Sequence, residues 1–422
     1  MEQQEVIPHL FRTEYRKITA VLCKHFGIEH IEIAEDIASE TFLTATETWG
    51  LKGLPVNPVA WLYVVAKNKA KDYFKHTSVF TNKIAKSIAL SASAGQEIEI
   101  DLSEKNITDS QLQMMFAICT PSIPLEAQIG LSLRILCGFG TDEIADAFLT
   151  KRETIKKRLL RAKETLRKEK VRIEFPDEKE IPSRLDTVLT TLYLLFTEGY
   201  YSSNKDTIIR KELCVEAMRL TYLLIENNTT NIPKVNALLS LMCFHSSRFE
   251  ARINNNGEII LYHDQDEALW NKELIEKGEY YLNLASQGFS ISKYHLEAGI
   301  AYWHTIKSDT KEKWENILQL YNQLLQIEYS PIAALNRTYA LSKARQKKEG
   351  IIEAEKLNLI DNHLYHSLLG ELYSGVDDIK SGAHFKTALT LAKSPADKAF
   401  ISNKIKNTDG NHDFNKSSNG GI

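Results

Sequence analysis

Hydrophobic positions recur at spacings of three and four residues along almost the whole chain, the pattern of amphipathic helices. At the amino terminus this pattern predicts three helices, over residues 8–26, 32–48 and 58–76. After an interruption, the same pattern predicts four shorter helices, over residues 109–119, 125–137, 142–148 and 151–170. Residues 183–405 follow it too, so the sequence predicts an all-α fold.

Breaks in this pattern predict how the chain divides. Residues 251–261 hold Asn254 to Gly257 between two apolar stretches, which favours a small β-hairpin. The segment after residue 407 is rich in Asn, Gly and Ser, and we expect it to be disordered. We predict two small helical domains and a helical array, with a linker and a tail, over residues 1–80, 81–108 (linker), 109–172, 173–406 (array) and 407–422 (tail).

A weak repeat lies in the predicted array. The pairs Tyr321 with Leu324, Ala354 with Leu357 and Phe385 with Ala388 occupy comparable places, in steps of 33 and 31 residues. These steps are close to the tetratricopeptide period of about 34 residues. A generic array of helical hairpins explains the spacing as well, and both interpretations stay open.

Composition excludes several classes of protein. Of the 422 residues 43% are hydrophobic and 25% are charged, as in soluble globular proteins. No apolar run approaches the ~20 residues of a membrane span, and the start lacks the pattern of a signal peptide. The five cysteines lie far apart without a C-x-x-C pair, so neither a disulfide framework nor a zinc module is indicated. We expect a cytoplasmic protein with reduced thiols.

Charge is concentrated in one short segment. Residues 151–172 carry 11 basic and 3 acidic side chains, although the whole chain has a net charge of −3. A local excess of this size predicts contact with a polyanion at one place, such as nucleic acid.

The same segment has the pattern of a helix-turn-helix. Thr141 is a predicted N-cap, and Thr150 with Glu153 fits a capping box at the start of a second helix. In that helix an apolar stripe faces the first helix, formed by Ile155, Leu159, Ala162 and Leu166. The side chains left for the groove and phosphates of DNA are Lys151, Arg152, Thr154, Lys157, Arg158 and Arg161. The alternative is a solvated basic helix at the edge of a bundle.

Several segments resemble the extracytoplasmic-function sigma factors of the sigma-70 family. Residues 131–149 and 155–163 resemble region four, which recognises the minus-thirty-five promoter element. Residues 34–42 resemble the region-two helix that binds the clamp helices of RNA polymerase. Residues 57–72 resemble the helix that opens the minus-ten element. The resemblance implies a transcription initiation factor whose partners are core RNA polymerase and promoter DNA.

The resemblance assigns roles that the residue types support. Asp36, Ile37 and Glu40 are the implied polymerase contacts; Asp36 and Glu40 are like charges one turn apart, which a basic partner would stabilise. The alternative is a solvated acidic face. For the minus-ten strand the implied contacts are Lys67, Asn68, Lys71 and Lys75. The lysines recur every fourth residue, so they form a basic stripe suited to phosphates.

The predicted array also matches this resemblance. Residues 184–200 and 264–270 are similar to a subgroup of these sigma factors with a long tetratricopeptide-like extension. The resemblance implies control of activity in cis by the extension, and its helical array offers a surface for a protein or peptide ligand. Capping and buried ion pairs, or a ligand pocket, explain a polar set in this apolar region: Glu198, His245, Arg248, Arg252, Asp264 and Asp266.

No sequence motif indicates an enzyme. The chain lacks a Gly-rich phosphate loop, H-E-x-x-H and G-x-S-x-G, so we expect no catalytic residue, metal or cofactor. His363 and His366 lie one turn apart without further metal ligands, and we expect a surface or packed pair. Besides a sigma factor, the sequence allows a helix-turn-helix transcriptional regulator with a tetratricopeptide sensor, or a scaffold whose basic helix binds an acidic protein.

Overall fold

A computed structural model describes residues 3–80, 100–148, 150–201, 207–252, 260, 262–393 and 397–405. Within these ranges the regular elements are helices and none is a strand, which confirms the predicted all-α class. The chain forms two compact units, Met1–Thr230 (unit 1) and Asn231–Ile422 (unit 2). The predicted hairpin falls mostly on residues 253–259 and 261, and the predicted tail on 407–422; both lie outside the described residues.

Unit 1 begins with the three helices that the periodicity predicts. They are α1 (Gln3–Phe26), α2 (Ile31–Lys52) and α3 (Pro58–Phe80). The Asn57 side chain accepts a hydrogen bond from the Ala60 amide at 3.0 Å and so caps α3, with Pro58 in the first turn. The three helices share a core in which the buried Trp49 ring meets Trp61 edge-on, with ring centroids 5.2 Å apart.

The middle of unit 1 contains four helices. They are α4 (Glu104–Ile118), α5 (Leu125–Leu131), α6 (Thr141–Ala147) and α7 (Arg152–Lys168), with a π-helical turn at Ser132–Leu136. Helix α4 begins five residues before the predicted start, because the Ser103 hydroxyl caps it through the Asn106 amide. The predicted linker therefore ends earlier, and residues 81–99 of it lie outside the described residues.

Two predicted caps of the helix-turn-helix are wrong. Gly140, not Thr141, is the N-cap of α6, and the Glu143 carboxylate accepts a hydrogen bond from its amide at 2.6 Å. At α7 the N-cap is Lys151, whose side chain has no acceptor for a cap. The Thr150 amide instead donates to the carbonyl of Ala145 at 2.9 Å, which tightens the turn between the helices.

Two further helices complete unit 1, α8 (Ile181–Tyr201) and α9 (Thr207–Glu226). The sequence analysis assigns both to the extension, but they pack on the helices that precede them. Arg12 and Arg16 of α1 form ion pairs with Glu212 and Glu216 of α9. The apolar face of α8 is buried in the same core, through Leu185, Val188, Leu189, Leu192, Leu195 and Phe196.

Unit 2 is a series of helices in which each packs on the next. The helices are α10 (Pro233–Ser247), α11 (Lys272–Ala285), α12 (Lys293–Trp303), α13 (Lys311–Ile327), α14 (Pro331–Ala344), α15 (Lys347–Leu357), α16 (His363–Tyr373) and α17 (Asp378–Leu391). The repeat pairs identified in the sequence fall on every second helix, α13, α15 and α17. Gly370 allows α16 and α17 to approach closely, since a Cβ there would come within 2.8 Å of the Phe385 ring.

Candidate nucleic-acid interface

Helix α7 has one buried and one exposed face. The apolar stripe of Ile155, Leu159, Ala162 and Leu166 is buried, as predicted. Leu159 packs beside Gly130 of α5, where a Cβ would lie 3.2 Å from its methyl group. Arg158 is half-buried, and the other predicted DNA contacts are exposed: Lys151, Arg152, Thr154, Lys157 and Arg161. The helix therefore presents a basic face to solvent near its amino-terminal end, where a recognition helix contacts bases.

One of these side chains has a partner at the surface. The Arg152 guanidinium lies 3.1 Å from the carboxylate of Asp142 on α6, and both side chains are more than half exposed. Exposed pairs of this kind contribute little to stability. A phosphate group can therefore replace Asp142 as the partner of Arg152 at small cost.

The carboxyl-terminal part of α7 faces α2. The Lys163 side chain is buried, and its Nζ forms an ion pair with the carboxylate of Glu35. Arg134 donates to the same carboxylate from Nε at 2.7 Å, while Arg167 pairs with Glu32. These contacts, here called the clasp, use part of the basic segment inside unit 1, so not all of its charge is available to a polyanion.

The clasp was not predicted from the sequence. The sequence contains one indication of this contact. Glu32 and Glu35 lie one turn apart on one helix, and Lys163 and Arg167 lie one turn apart on another. Spacing alone does not say which helices meet. The contact required the packing of α7 beside the start of α2.

Helix α2 presents its other acidic residues outward. Asp36 and Glu40 are exposed, and Glu40 forms a surface ion pair with Lys69 of α3 at 3.3 Å. The structure corrects the third predicted polymerase contact: Ile37 is only 5% exposed and lies in the core of unit 1. Its side chain supports the helix and is not presented to a partner.

On α3 the predicted minus-ten contacts fall along one side of the helix. Asn68 and Lys75 are exposed, while Lys67 and Lys71 are half-buried with their stems against the protein. The neighbouring Tyr63 donates a hydrogen bond from its hydroxyl to Glu14 at 2.6 Å. Burial, and then this bond, raise the pKa of Tyr63 above its ordinary value, so the phenol stays protonated.

Among the remaining candidates for chemistry, the cysteines and His366 are buried and His363 is half-buried. All five cysteines are free and inaccessible, and burial raises the pKa of Cys119 to about 11. His366 bonds to His384 through the two Nδ1 atoms, 3.0 Å apart, and to the carbonyl of Ile360. His363 lies 3.5 Å from Asp397. No described helix combines the length and apolarity that a membrane crossing needs.

Comparisons with known proteins agree with this arrangement. Residues 10–79 match sigma-70 region 2, and residues 184–286 match a family of unknown function, DUF6596. The first match contains the outward faces of α2 and α3, and the second begins inside unit 1 and continues into unit 2. No solved structure matches the chain.

One relative is similar to this chain over most of its length. The uncharacterized protein R00370 of Rhizobium meliloti (strain 1021) is 30% identical over 379 residues, which are 88% of this chain and 89% of that protein. Sigma-70 proteins are transcription factors without catalytic activity that work with core RNA polymerase and promoter DNA. The chain therefore belongs to the family of R00370, and the match of its amino-terminal domain to region 2 supports a place in the sigma-70 family.

Proposed function

We propose that this protein is a sigma factor of the extracytoplasmic-function subgroup that directs promoter-specific initiation. The observation that supports this best is the exposed basic face of α7, which lies in the same compact unit as the matched sigma-70 region 2. In this proposal Asp36 and Glu40 bind core polymerase. The α7 face contacts the minus-thirty-five element, and Lys67, Asn68, Lys71 and Lys75 hold the minus-ten strand.

The chemistry of each surface suits its proposed partner. Arg158 and Arg161 offer planar forks that bind phosphate oxygens in pairs. The lysines of α3 are point charges on flexible stems, so they follow the backbone of an opened strand without reading its bases. The like charges of Asp36 and Glu40 attract a basic surface on the polymerase.

Replacing Arg158 and Arg161 with alanine should weaken DNA binding and flatten its salt dependence. Each phosphate contact contributes about 0.9 to the slope of log K against log salt, so losing two should reduce the slope by about 1.8. The measurement is fluorescence anisotropy with a mixed-sequence DNA duplex between 50 and 200 mM salt, a range over which such slopes are resolved.

The control for this experiment is Lys311→Ala with Lys348→Ala, which removes the same charge from exposed positions in unit 2. We expect its slope to equal that of the wild type. Equal slopes for all three proteins would show that α7 is not the DNA-binding helix.

Run-off transcription with purified core polymerase tests the function itself. A sigma factor must bind core polymerase in the absence of DNA, whereas a helix-turn-helix regulator with a tetratricopeptide sensor has no need to. If the full-length protein binds promoter fragments but does not bind core polymerase and does not support initiation, the result favours the regulator.

We further propose that the tetratricopeptide-like array controls activity in cis. Residues 173–422 hold 28 basic and 33 acidic side chains, but unit 2 holds only 22 and 23 of these, so most of the negative excess lies in the segment that packs in unit 1. Covalent attachment gives the array a local concentration in the range of about millimolar, at which weak contacts matter. A protein or peptide ligand on the array would then change transcription. Run-off activity of the chain ending at Thr230 equal to that of the full chain would exclude this control.

A further inference from the structure

Two buried cations lie against one aromatic ring in unit 2. Arg248 immediately follows α10 and is 7% exposed, and Lys313 in the first turn of α13 is 1% exposed. The guanidinium carbon of Arg248 is 5.5 Å from the centre of the Tyr262 ring, and the Lys313 Nζ is 4.9 Å from it. Three further aromatic side chains lie around the Tyr262 ring: Trp270, His304 and Trp314.

Neither cation is neutralised within the described part of the chain. Lys313 donates from Nζ to the Tyr262 hydroxyl at 2.8 Å and to the carbonyl of Ile306, both uncharged acceptors. Arg248 forms no ion pair there, and its buried Nε has no hydrogen-bond acceptor. The buried ion pairs that the sequence allowed for this polar set are therefore not the explanation for Arg248.

The acids nearby are already engaged. Asp309 accepts hydrogen bonds from Lys343, at 2.6 Å, and from the indole of Trp314. Asp266 accepts a hydrogen bond from the amide of Ala268 and so caps a short turn. Among the described residues, Asp309 compensates part of this buried positive charge, and no described acid forms an ion pair with Arg248.

The titration of the neighbouring groups agrees with this buried positive charge. Burial lowers the pKa of Lys313 to about 8; the Asp309 carboxylate opposes this decrease, and Arg248 adds to it. Burial, followed by the charges of Arg248 and Arg252, lowers the pKa of His245 well below its usual range. Buried charge without a counterion is costly, and groups with strongly shifted pKa values cluster at functional sites.

We propose that Arg248, Lys313 and Tyr262 form a binding site for the phosphate group of a small phosphomonoester. Two cations match the charge of −1.5 to −2 that a phosphomonoester carries at about pH 7. The Arg248 fork binds two phosphate oxygens, Lys313 binds as a point charge, and the Tyr262 hydroxyl lies beside them. The surrounding aromatic rings would hold the organic part of the ligand. The inference does not depend on the proposed sigma activity.

Isothermal titration calorimetry on the full chain tests the site with inorganic phosphate, glycerol 3-phosphate and acetate, at constant ionic strength held with chloride. We expect one saturable event per chain for each of the two phosphates and at least tenfold weaker binding of acetate. Arg248→Met should weaken phosphate binding at least tenfold, and Arg248→Lys, which keeps the charge but loses the fork, by less.

Two control variants separate this site from general attraction of anions. Lys348→Ala removes an exposed basic side chain from unit 2, and Arg345→Met makes the same chemical change as Arg248→Met at an exposed position. Both should bind phosphate as the wild type does. Equal phosphate binding by Arg248→Met and wild type would overturn the site, and equal affinity for acetate would overturn its assignment to phosphate.

Thermal unfolding tests the same site without relying on the heat of binding. In phosphate-free buffer Arg248→Met should melt at or above the wild-type Tm, because it removes a buried charge without a counterion. Added phosphate should raise the Tm of the wild type and of Arg345→Met but not that of Arg248→Met. A phosphate-induced shift of the same size in Arg248→Met would contradict the proposal.

Discussion

A chain carrying Asp36→Arg and Glu40→Arg is expected to lose its association with core RNA polymerase while keeping the fold of unit 1. Both side chains are exposed on α2, where substitutions usually change stability by no more than about 0.5 kcal/mol. Reversing two charges at an interface replaces attraction with repulsion, which costs several kcal/mol of binding. Gel filtration of core polymerase mixed with each variant measures the association.

Glu40 also pairs with Lys69, so Asp36→Arg alone is the cleaner variant. Glu276→Arg with Glu279→Arg makes the same change in charge on an exposed face of α11 and should leave polymerase binding intact. If the α2 variant co-elutes with polymerase and melts normally, the interface lies elsewhere on the protein.

Ending the chain at residue 180 should prevent unit 1 from folding stably, whereas ending it at Thr230 should not. The shorter chain lacks α8 and α9, which uncovers the core that α8 closes and removes Glu216 from the buried Arg16. Breaking a buried ion pair by removing one partner costs about 3–5 kcal/mol, a large fraction of the stability of a typical domain. Thermal unfolding followed by circular dichroism compares the two chains.

A cooperative transition at the same Tm in both chains would contradict this expectation. The comparison also determines which shortened chain is suitable for measuring the effect of the extension. Loss of transcription by a chain ending at residue 180 would report unfolding of unit 1, whereas a chain ending at Thr230 keeps that unit whole.

Hydrophobic periodicity was sufficient to predict the helices of unit 1 and the buried stripe of α7, since both depend on local spacing. It could not predict Arg16 with Glu216, because residues 200 apart in the chain meet only through packing. For the same reason, the predicted start of the array at residue 173 differs from the end of unit 1 at Thr230.

The predicted site residues show the same limit. Periodicity placed Asp36 and Glu40 on one face of α2 but did not show that Ile37, between them in sequence, is buried. Net charge located the basic segment but did not separate Arg161, which faces solvent, from Lys163, which Glu35 binds. The sequence also showed Arg248 as a polar residue in an apolar region. Only the structure shows that Arg248 and Lys313 lie against the same Tyr262 ring.

In the proposed function, the clasp between α2 and α7 favours the closed arrangement of unit 1 and opposes promoter binding. The minus-ten and minus-thirty-five promoter elements are about 25 base pairs apart, which is about 85 Å of DNA at about 3.4 Å per base pair. A compact unit of 230 residues has a radius of gyration of only about 17 Å. In the proposed function α3 and α7 therefore reach both elements only after they separate. The apparent affinity for the promoter equals the intrinsic affinity multiplied by the fraction of separated molecules. Each 1.4 kcal/mol or so in the clasp lowers that fraction about tenfold.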